Sequence, residues 1–580
     1  MRVKLDSLAI VIKAAITLDN YPVRLTSAQV RKIWRRRLLV GLILAFCCST
    51  IPPTQSIATE NNDAQMKSNA ANYLAARQAL YLKDFQASAN FYLTALNFDH
   101  NNADLLQQAF YTQYQLGNID AAAALARDME LLNIASRFAS EPATAQAILV
   151  EDWDAVLVLA DLIAENIEAL PVATIIRAWA LVAMGQGPAG LSHLIQSSNE
   201  NISGEKSAPT IFTMQAARMA DYLGDTQETL RLADQLFKRN DLSSQHMLQL
   251  ASLYARHNEK IKLKQLIEQL PNGFNKLKVR KLLSHQAKSP KIAHHIAAGI
   301  IDASLIADNS RTDDMLRARL GLALYLNPQS DRARFLIAQA LSEINQTQSA
   351  NEQLAAIDRT GIWSQPRLLL EVDLDRSNNI ERAISRLQNS VEKDKTNAFL
   401  QKELGDLYRI SDQLHKARDS YLMAISLGFT SATLDRNLAI SYEQLEEDHL
   451  AENSFQQSLR KNPQDPYTLN YLGYWWADEG RNLEDAIELI ERAVRLRPRS
   501  GYFVDSLGWV HFKLGNLDLA VAFLEQATIL EPVDPVIADH LGDAYWATGR
   551  YTEARFKWQY ALSITVDDDL KAKLTAKLTR

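Results

Sequence analysis

The sequence predicts an all-α solenoid, a stack of about 14 antiparallel helix pairs. Two observations carry this. Near the C-terminus, Tyr471-Leu-Gly-Tyr474, Ser506-Leu-Gly-Trp509 and His540-Leu-Gly-Asp543 repeat one motif, with Gly473, Gly508 and Gly542 spaced 35 and 34 residues apart. The 580 residues include only 20 Gly and 16 Pro, too few for the many tight turns of a β-rich chain. With 47% hydrophobic and 22% charged residues, the composition is globular. A unit of this length cannot bury its apolar face alone and must stack on the next, so extra length adds repeats rather than new cores.

Residues 1–58 read as an export leader with an extended basic segment. Arg31-Lys-Ile-Trp-Arg-Arg-Arg37 leads into the uncharged run Leu38–Cys48, whose eleven residues fall short of the ~20 needed to span a membrane as a helix. Ser56-Ile57-Ala58 then places small residues as a cleavage site requires, so cleavage is expected after Ala58. Leu44-Ala45-Phe46-Cys47 keeps two alternatives open, lipidation of Cys47 despite the bulky Phe46, and retention of the run as a short anchor. Membrane contact is expected only through such an anchor. Residues 1–58 carry nine Lys/Arg against two Asp/Glu, which leaves the rest of the chain at 53 against 66, or −13. So acidic a body is a poor partner for nucleic acid. Both cysteines, Cys47 and Cys48, lie in the leader, which excludes disulfides and thiolate metal sites from the body.

Residues 59–270 form a degenerate array. Ala76, Phe110, Thr144 and Ala178 stand 34 apart, followed by Ala217 and Ala251, and the turns Leu116-Gly-Asn-Ile-Asp120 and Leu223-Gly-Asp225 echo Leu514-Gly-Asn-Leu-Asp518. From Ala251 to Ser304 is one repeat plus 19 residues, which marks 271–291 as an insert and a hinge between two subdomains. Gly273 to Ile301 holds six Lys/Arg and no acid. Contact with lipid phosphates or an acidic partner is one reading of that stretch, and a solvated helix face is the other.

Residues 292–568 form the second array, with 569–580 as a C-terminal capping tail. Its small-residue positions run Ser304, Ala338, Glu371, Gly405, Ala439, Gly473, Gly508 and Gly542. Twelve positions after them come Ala417, Ala451, Ala520 and Ala554; sixteen after come Tyr421, Phe455 and Trp558; Pro463 and Pro532 close two units. A small residue lets two backbones approach and the aromatic fills the space beyond. This is the tetratricopeptide pattern, which implies a right-handed superhelix.

Nothing in the sequence points to catalysis, and no cofactor or metal is expected. Phosphate loops, His-Glu-x-x-His and Gly-x-Ser-x-Gly are absent, and His294-His295 cannot share a metal because adjacent helical side chains diverge by about 100°. What rises above background is a groove. In a tetratricopeptide unit the first helix lines the concave face, here with Tyr467, Asn470, Tyr474 and Asp478, then Tyr502, Asp505, Trp509, Phe512 and Lys513, then Asp539, Asp543 and Trp546. Aromatic anchors interleaved with acids suit a peptide segment. Trp509 is expected to be exposed, whereas Trp475, Trp476, Tyr545 and Trp558 face the core. Lys402 fits one position of the carboxylate clamp of chaperone-binding relatives, but Asp406 stands where that clamp needs Asn.

The run from Tyr471-Leu-Gly-Tyr through Asp505-Ser-Leu-Gly-Trp509 to Asp539-His-Leu-Gly-Asp-Ala-Tyr-Trp546 resembles the long periplasmic tetratricopeptide proteins of Gram-negative bacteria. That group includes an outer-membrane lipoprotein that is the adaptor of a carboxyl-terminal processing protease. The resemblance implies a noncatalytic periplasmic scaffold, associated with the outer membrane if anchored, that presents protein clients to an envelope enzyme. The competing expectation is a structural part of an envelope-assembly or export machine.

Overall fold

The computed structural model describes residues 60–200, 208–239, 241–284, 291–305 and 313–579; the leader, with Cys47, Cys48 and Ala58, lies outside them. The described residues form 30 α-helices and no strand. They fall into two compact units, Thr54–Asn378 and Asn379–Arg580, and each is an all-α solenoid of antiparallel helix pairs.

The repeat positions land where the spacing puts them, inside the first helix of each pair. Ala76 lies in Glu60–Tyr81, Phe110 in Ala103–Gln115, Thr144 in Ser140–Leu149 and Ala178 in Leu170–Ala183. Ala338, Gly405, Ala439, Gly473, Gly508 and Gly542 do the same in the helices Asp331–Glu343, Ala398–Ile410, Ala432–Gln444, Pro466–Asp478, Gly501–Lys513 and Pro535–Ala547. Ser304 is the exception. It is the last residue of Ile292–Ser304, and close approach on that helix belongs to Gly299, where a Cβ would sit 2.5 Å from Ile175 Cγ2.

Within the 271–291 insert, expected as a hinge, residues 271–284 pack inside the first unit. Its helix Lys276–Leu283 buries Val279 and Leu283, Phe274 meets the edge of Trp363 at 5.6 Å, and Lys278 Nζ donates to Ser364 Oγ at 2.7 Å. An apolar face of three side chains gives the insert a place to dock, and the division between units falls at 378/379 instead.

A solenoid repeat ordinarily touches only its neighbours. The first unit departs from this, because the pair Ile292–Ser304 and Asp313–Leu326 packs back on Ala103–Gln115, Ser140–Leu149 and Leu170–Ala183. At the contact Gly321 stands so near Gly117 that a Cβ on it would lie 2.7 Å from the Gly117 Cα. Beside it, the fully buried Glu141 carboxylate accepts from Arg319 Nη2 at 2.8 Å and from the Tyr114 hydroxyl at 2.5 Å. A carboxylate removed from water persists only when so paired. Tyr325 closes the rim by donating to Asp120 at 2.5 Å.

In the second unit, five helix pairs stack between Ala398 and Ile564, and the helix Asp568–Leu578 caps the last of them. Leu574 of the cap is fully buried in the cluster that holds Leu541, Trp558 and Ala561.

Candidate functional site: an acidic aromatic groove

Three first helices of the second unit, Pro466–Asp478, Gly501–Lys513 and Pro535–Ala547, lie side by side. Two of them begin with Asp-Pro. Asp465 accepts the Thr468 N–H at 3.2 Å, and Asp534 accepts those of Val536 at 2.8 Å and Ile537 at 3.0 Å. Pro466 and Pro535 occupy the first helical position, where an N–H would have no partner in the helix. The start of each helix is thereby set, and with it the direction in which each side chain leaves the axis. Two turns on, Gly473, Gly508 and Gly542 pin one face against the second helix, since a Cβ there would lie 2.7 Å from Ile490 Cγ1, 2.6 Å from Leu524 Cγ and 2.4 Å from Trp558 Nε1.

Away from those contacts the three helices bring aromatic, acidic and basic groups together. The Trp509 indole stacks on His540 at 4.1 Å and on Phe512 at 5.0 Å, and its Nε1–H donates to Asp478 at 3.2 Å. Lys513 Nζ donates to the Asp478 carbonyl at 2.7 Å and lies 5.0 Å from the Trp509 ring centre. His540 Nδ1 is 3.0 Å from both oxygens of the buried Asp505. Burial alone would pull the His540 pKa down, but the Asp505 carboxylate outweighs it and the net direction is up. Asp539 and Asp543 share Lys577 Nζ of the capping helix, each at 2.7 Å. Burial, then the neighbouring Asp539, still holds Asp543 above the usual carboxylate range. Tyr474 lies 6.3 Å from the His540 ring, and burial followed by the Asp478 and Asp505 charges raises its hydroxyl pKa.

Several expected groove residues are placed elsewhere. Trp509, expected to be exposed, is only 8% exposed, because His540 of the next repeat covers its face. Tyr467 is held between Arg436 and Arg497 and against the edge of Phe503 at 5.7 Å. Tyr502 packs with Leu469, Ala493 and Phe503. Trp546 turns to Tyr551 at 4.6 Å and Trp558 at 5.3 Å within its own unit. These three rings fill space between helices. Asn470 is part-buried and its Oδ1 has no hydrogen-bond partner. The groove set that the structure assembles is Tyr474, Asp478, Asp505, Trp509, Phe512, Lys513, Asp539 and Asp543.

Two members were missed, His540 and Lys577. His540 stands in its motif where Tyr471 and Ser506 stand in the preceding ones, so a change of chemistry at a repeated position was the available signal. Lys577 lies beyond the last repeat and carries no such signal. Trp475, Trp476, Tyr545 and Trp558 are buried, as their positions require. At the clamp position, Lys402 is neutralised by Asp406 at 2.7 Å, and Asp406 also accepts from Tyr421 and Asn437. A peptide carboxylate would find that lysine already paired.

Among the described residues, no three His, Cys, Asp or Glu side chains are grouped to hold a metal ion, and no helix is long and apolar enough to cross a membrane. Residues 436–501, 477–535 and 506–564 match the tetratricopeptide repeat family. A TPR repeat-containing protein of Pseudomonas aeruginosa is 29% identical over 220 residues, 37% of this chain and 36% of that protein, so the match spans little more than a third of the relative's length. Among solved structures, the APC/C hetero-tetramer Cut9–Hcn1 aligns with 89% of this chain and 98% of that one at 15% identity and a TM-score of 0.38. A tetratricopeptide repeat protein from Parabacteroides merdae aligns with 43% of this chain and 100% of that one at 16% identity and a TM-score of 0.37. The match to the tetratricopeptide repeat family thus falls on residues 436–564, whose helices are the ones that build the groove.

Proposed function

We propose that this chain is a noncatalytic scaffold that binds protein partners through the groove of residues 474–543. The observation that supports this reading is the set of part-exposed Tyr474, Phe512, Lys513 and Asp543 with exposed Asp478 on three consecutive first helices, seated on the buried Trp509–His540 stack. Part-exposed aromatic rings beside charged groups are features that concentrate binding energy and specificity at protein interfaces. Export with cleavage after Ala58, a periplasmic location and presentation of clients to an envelope protease extend the proposal. Their support is the composition of the leader and the resemblance of the C-terminal motifs.

The test places a photo-crosslinking amino acid at the exposed Asp478 of the full chain in cells, and a second at Phe556, which is 68% exposed on a second helix. The expected result is a set of captured proteins at position 478 that position 556 does not give. An adaptor yields one constant enzyme and a variable set of clients; a single partner in fixed ratio shows an assembly component instead. The same proteins at both positions would refute the groove.

A further inference from the structure

The backward packing of the first unit walls in a second polar recess. It is a cavity of about 270 Å³ between the helices Ala208–Leu223, Ser244–Arg256 and Ile292–Ser304 and the segment that leads into Ser364–Asn378. Three guanidinium groups line it, those of Arg218, Arg256 and Arg332, with the Asp221 carboxylate; a second carboxylate, Asp302, is fully buried behind the lining and bonded to Arg332.

Both carboxylates are already taken. Asp302, with no solvent exposure, accepts from Gln215 Nε2 at 2.7 Å, Gln249 Nε2 at 2.9 Å and Arg332 Nη2 at 2.6 Å. Asp221 is 2.9 Å from Arg256 Nη2 and 2.9 Å from His257 Nε2. Arg218 is left over. Its Nη2 faces His295 Nδ1 at 3.3 Å, on a ring fixed by stacking on Trp179 at 4.5 Å, and its Nη1 is buried without a hydrogen-bond partner. Burial pulls the Arg218 pKa down to about 10, even though Asp302 and Asp221 act to raise it. A guanidinium held out of water without its own anion is costly, and a carboxylate that reaches it forms a charge-assisted hydrogen bond. Gln245, Gln249 and Ser252 add polar groups to the wall, and Leu248, Leu283, Ile362 and Trp363 give it an apolar side. A volume just under the range typical of drug-sized pockets suits a smaller ligand.

We propose that this cavity binds a carboxylate carried on a short apolar group, with Arg218 as its ion-pair partner. Two sources share that chemistry, a free small acid and the C-terminal residue of a peptide. Calorimetric titration of the full chain with N-acetyl-leucine tests the site, with N-acetyl-leucinamide and inorganic phosphate as comparisons. Saturable binding near ~1 mM is expected for the acid, as suits so small a ligand, and at least tenfold weaker binding for the amide and for phosphate. Arg218→Met should weaken the acid at least tenfold. Ala298→Leu, which fills the cavity and leaves the charges alone, should do the same and decides the matter if Arg218→Met melts early. A leucine-terminated pentapeptide acid that binds tenfold tighter than N-acetyl-leucine assigns the site to chain ends, and equal affinity assigns it to free acids. Equal binding of acid and amide, phosphate matching the acid, no saturation by about 10 mM, or unchanged affinity in well-folded variants overturns the proposal.

Discussion

Gly508→Leu tests the packing that positions the groove. Gly508 is buried in the middle of Gly501–Lys513, and a Cβ there would stand 2.6 Å from Leu524 Cγ, 3.0 Å from its Cδ2 and 3.2 Å from its backbone nitrogen. Carbon atoms rest about 3.5–4.0 Å apart, so the first added carbon alone asks Leu524 to move by about 1 Å. Leu524 has no solvent exposure and belongs to the cluster with Leu541, Ala544 and Trp558, so it has nowhere to go. Overpacking of this kind costs about 1–3 kcal/mol, and three further leucine carbons push toward the upper end. The better helix propensity of leucine offsets roughly 0.8 kcal/mol. The net expectation is about 2 kcal/mol of destabilisation. For a unit of this size that is a melting temperature lower by about 4–8 °C. Hydrogen exchange across 501–530 should speed up about 30-fold, the factor that 2 kcal/mol represents. Unchanged protection of Gly501–Lys513 and Leu517–Leu530 would refute the close approach of these helices.

Three further outcomes are expected. Trp509→Ala should destabilise the second unit by about 3–5 kcal/mol, because the ring is buried between His540 and Phe512; an unchanged melting temperature would place the ring in solvent. The raised pKa of His540 stabilises the fold fully below the unfolded value of about 6.5 and loses that contribution as pH rises through the folded value. Melting temperature should therefore fall over that range relative to His540→Gln, and parallel pH profiles would count against the Asp505–His540 pair. Arg319→Met strands the fully buried Glu141 carboxylate and should cost about 3–5 kcal/mol in denaturant titration. Adding Glu141→Leu to that variant should recover much of the loss, and a double variant no better than the single one would show that the charges do not act as a pair.

The residues most legible in the sequence are those whose role is local and periodic. Gly473, Gly508 and Gly542, the Asp465-Pro466 and Asp534-Pro535 starts, and buried Trp476 and Trp558 follow from repeat register, because each depends on one helix meeting its own partner. Register also brought eight of the twelve expected groove positions together. It did not reveal that Trp509 is covered, because the ring that covers it, His540, comes from the following repeat, 31 residues on. Nor could it reach Lys577, which lies past the last repeat yet bridges Asp539 and Asp543. Farthest from view was the backward packing of the first unit, with Glu141–Arg319 and Asp120–Tyr325 joined across 178 and 205 residues. A repeat pattern specifies the helix pair, while the path of the array sums many small rotations between pairs. Whether that path returns on itself is decided only where distant surfaces fit, here where Gly321 meets Gly117 and leaves room for no side chain.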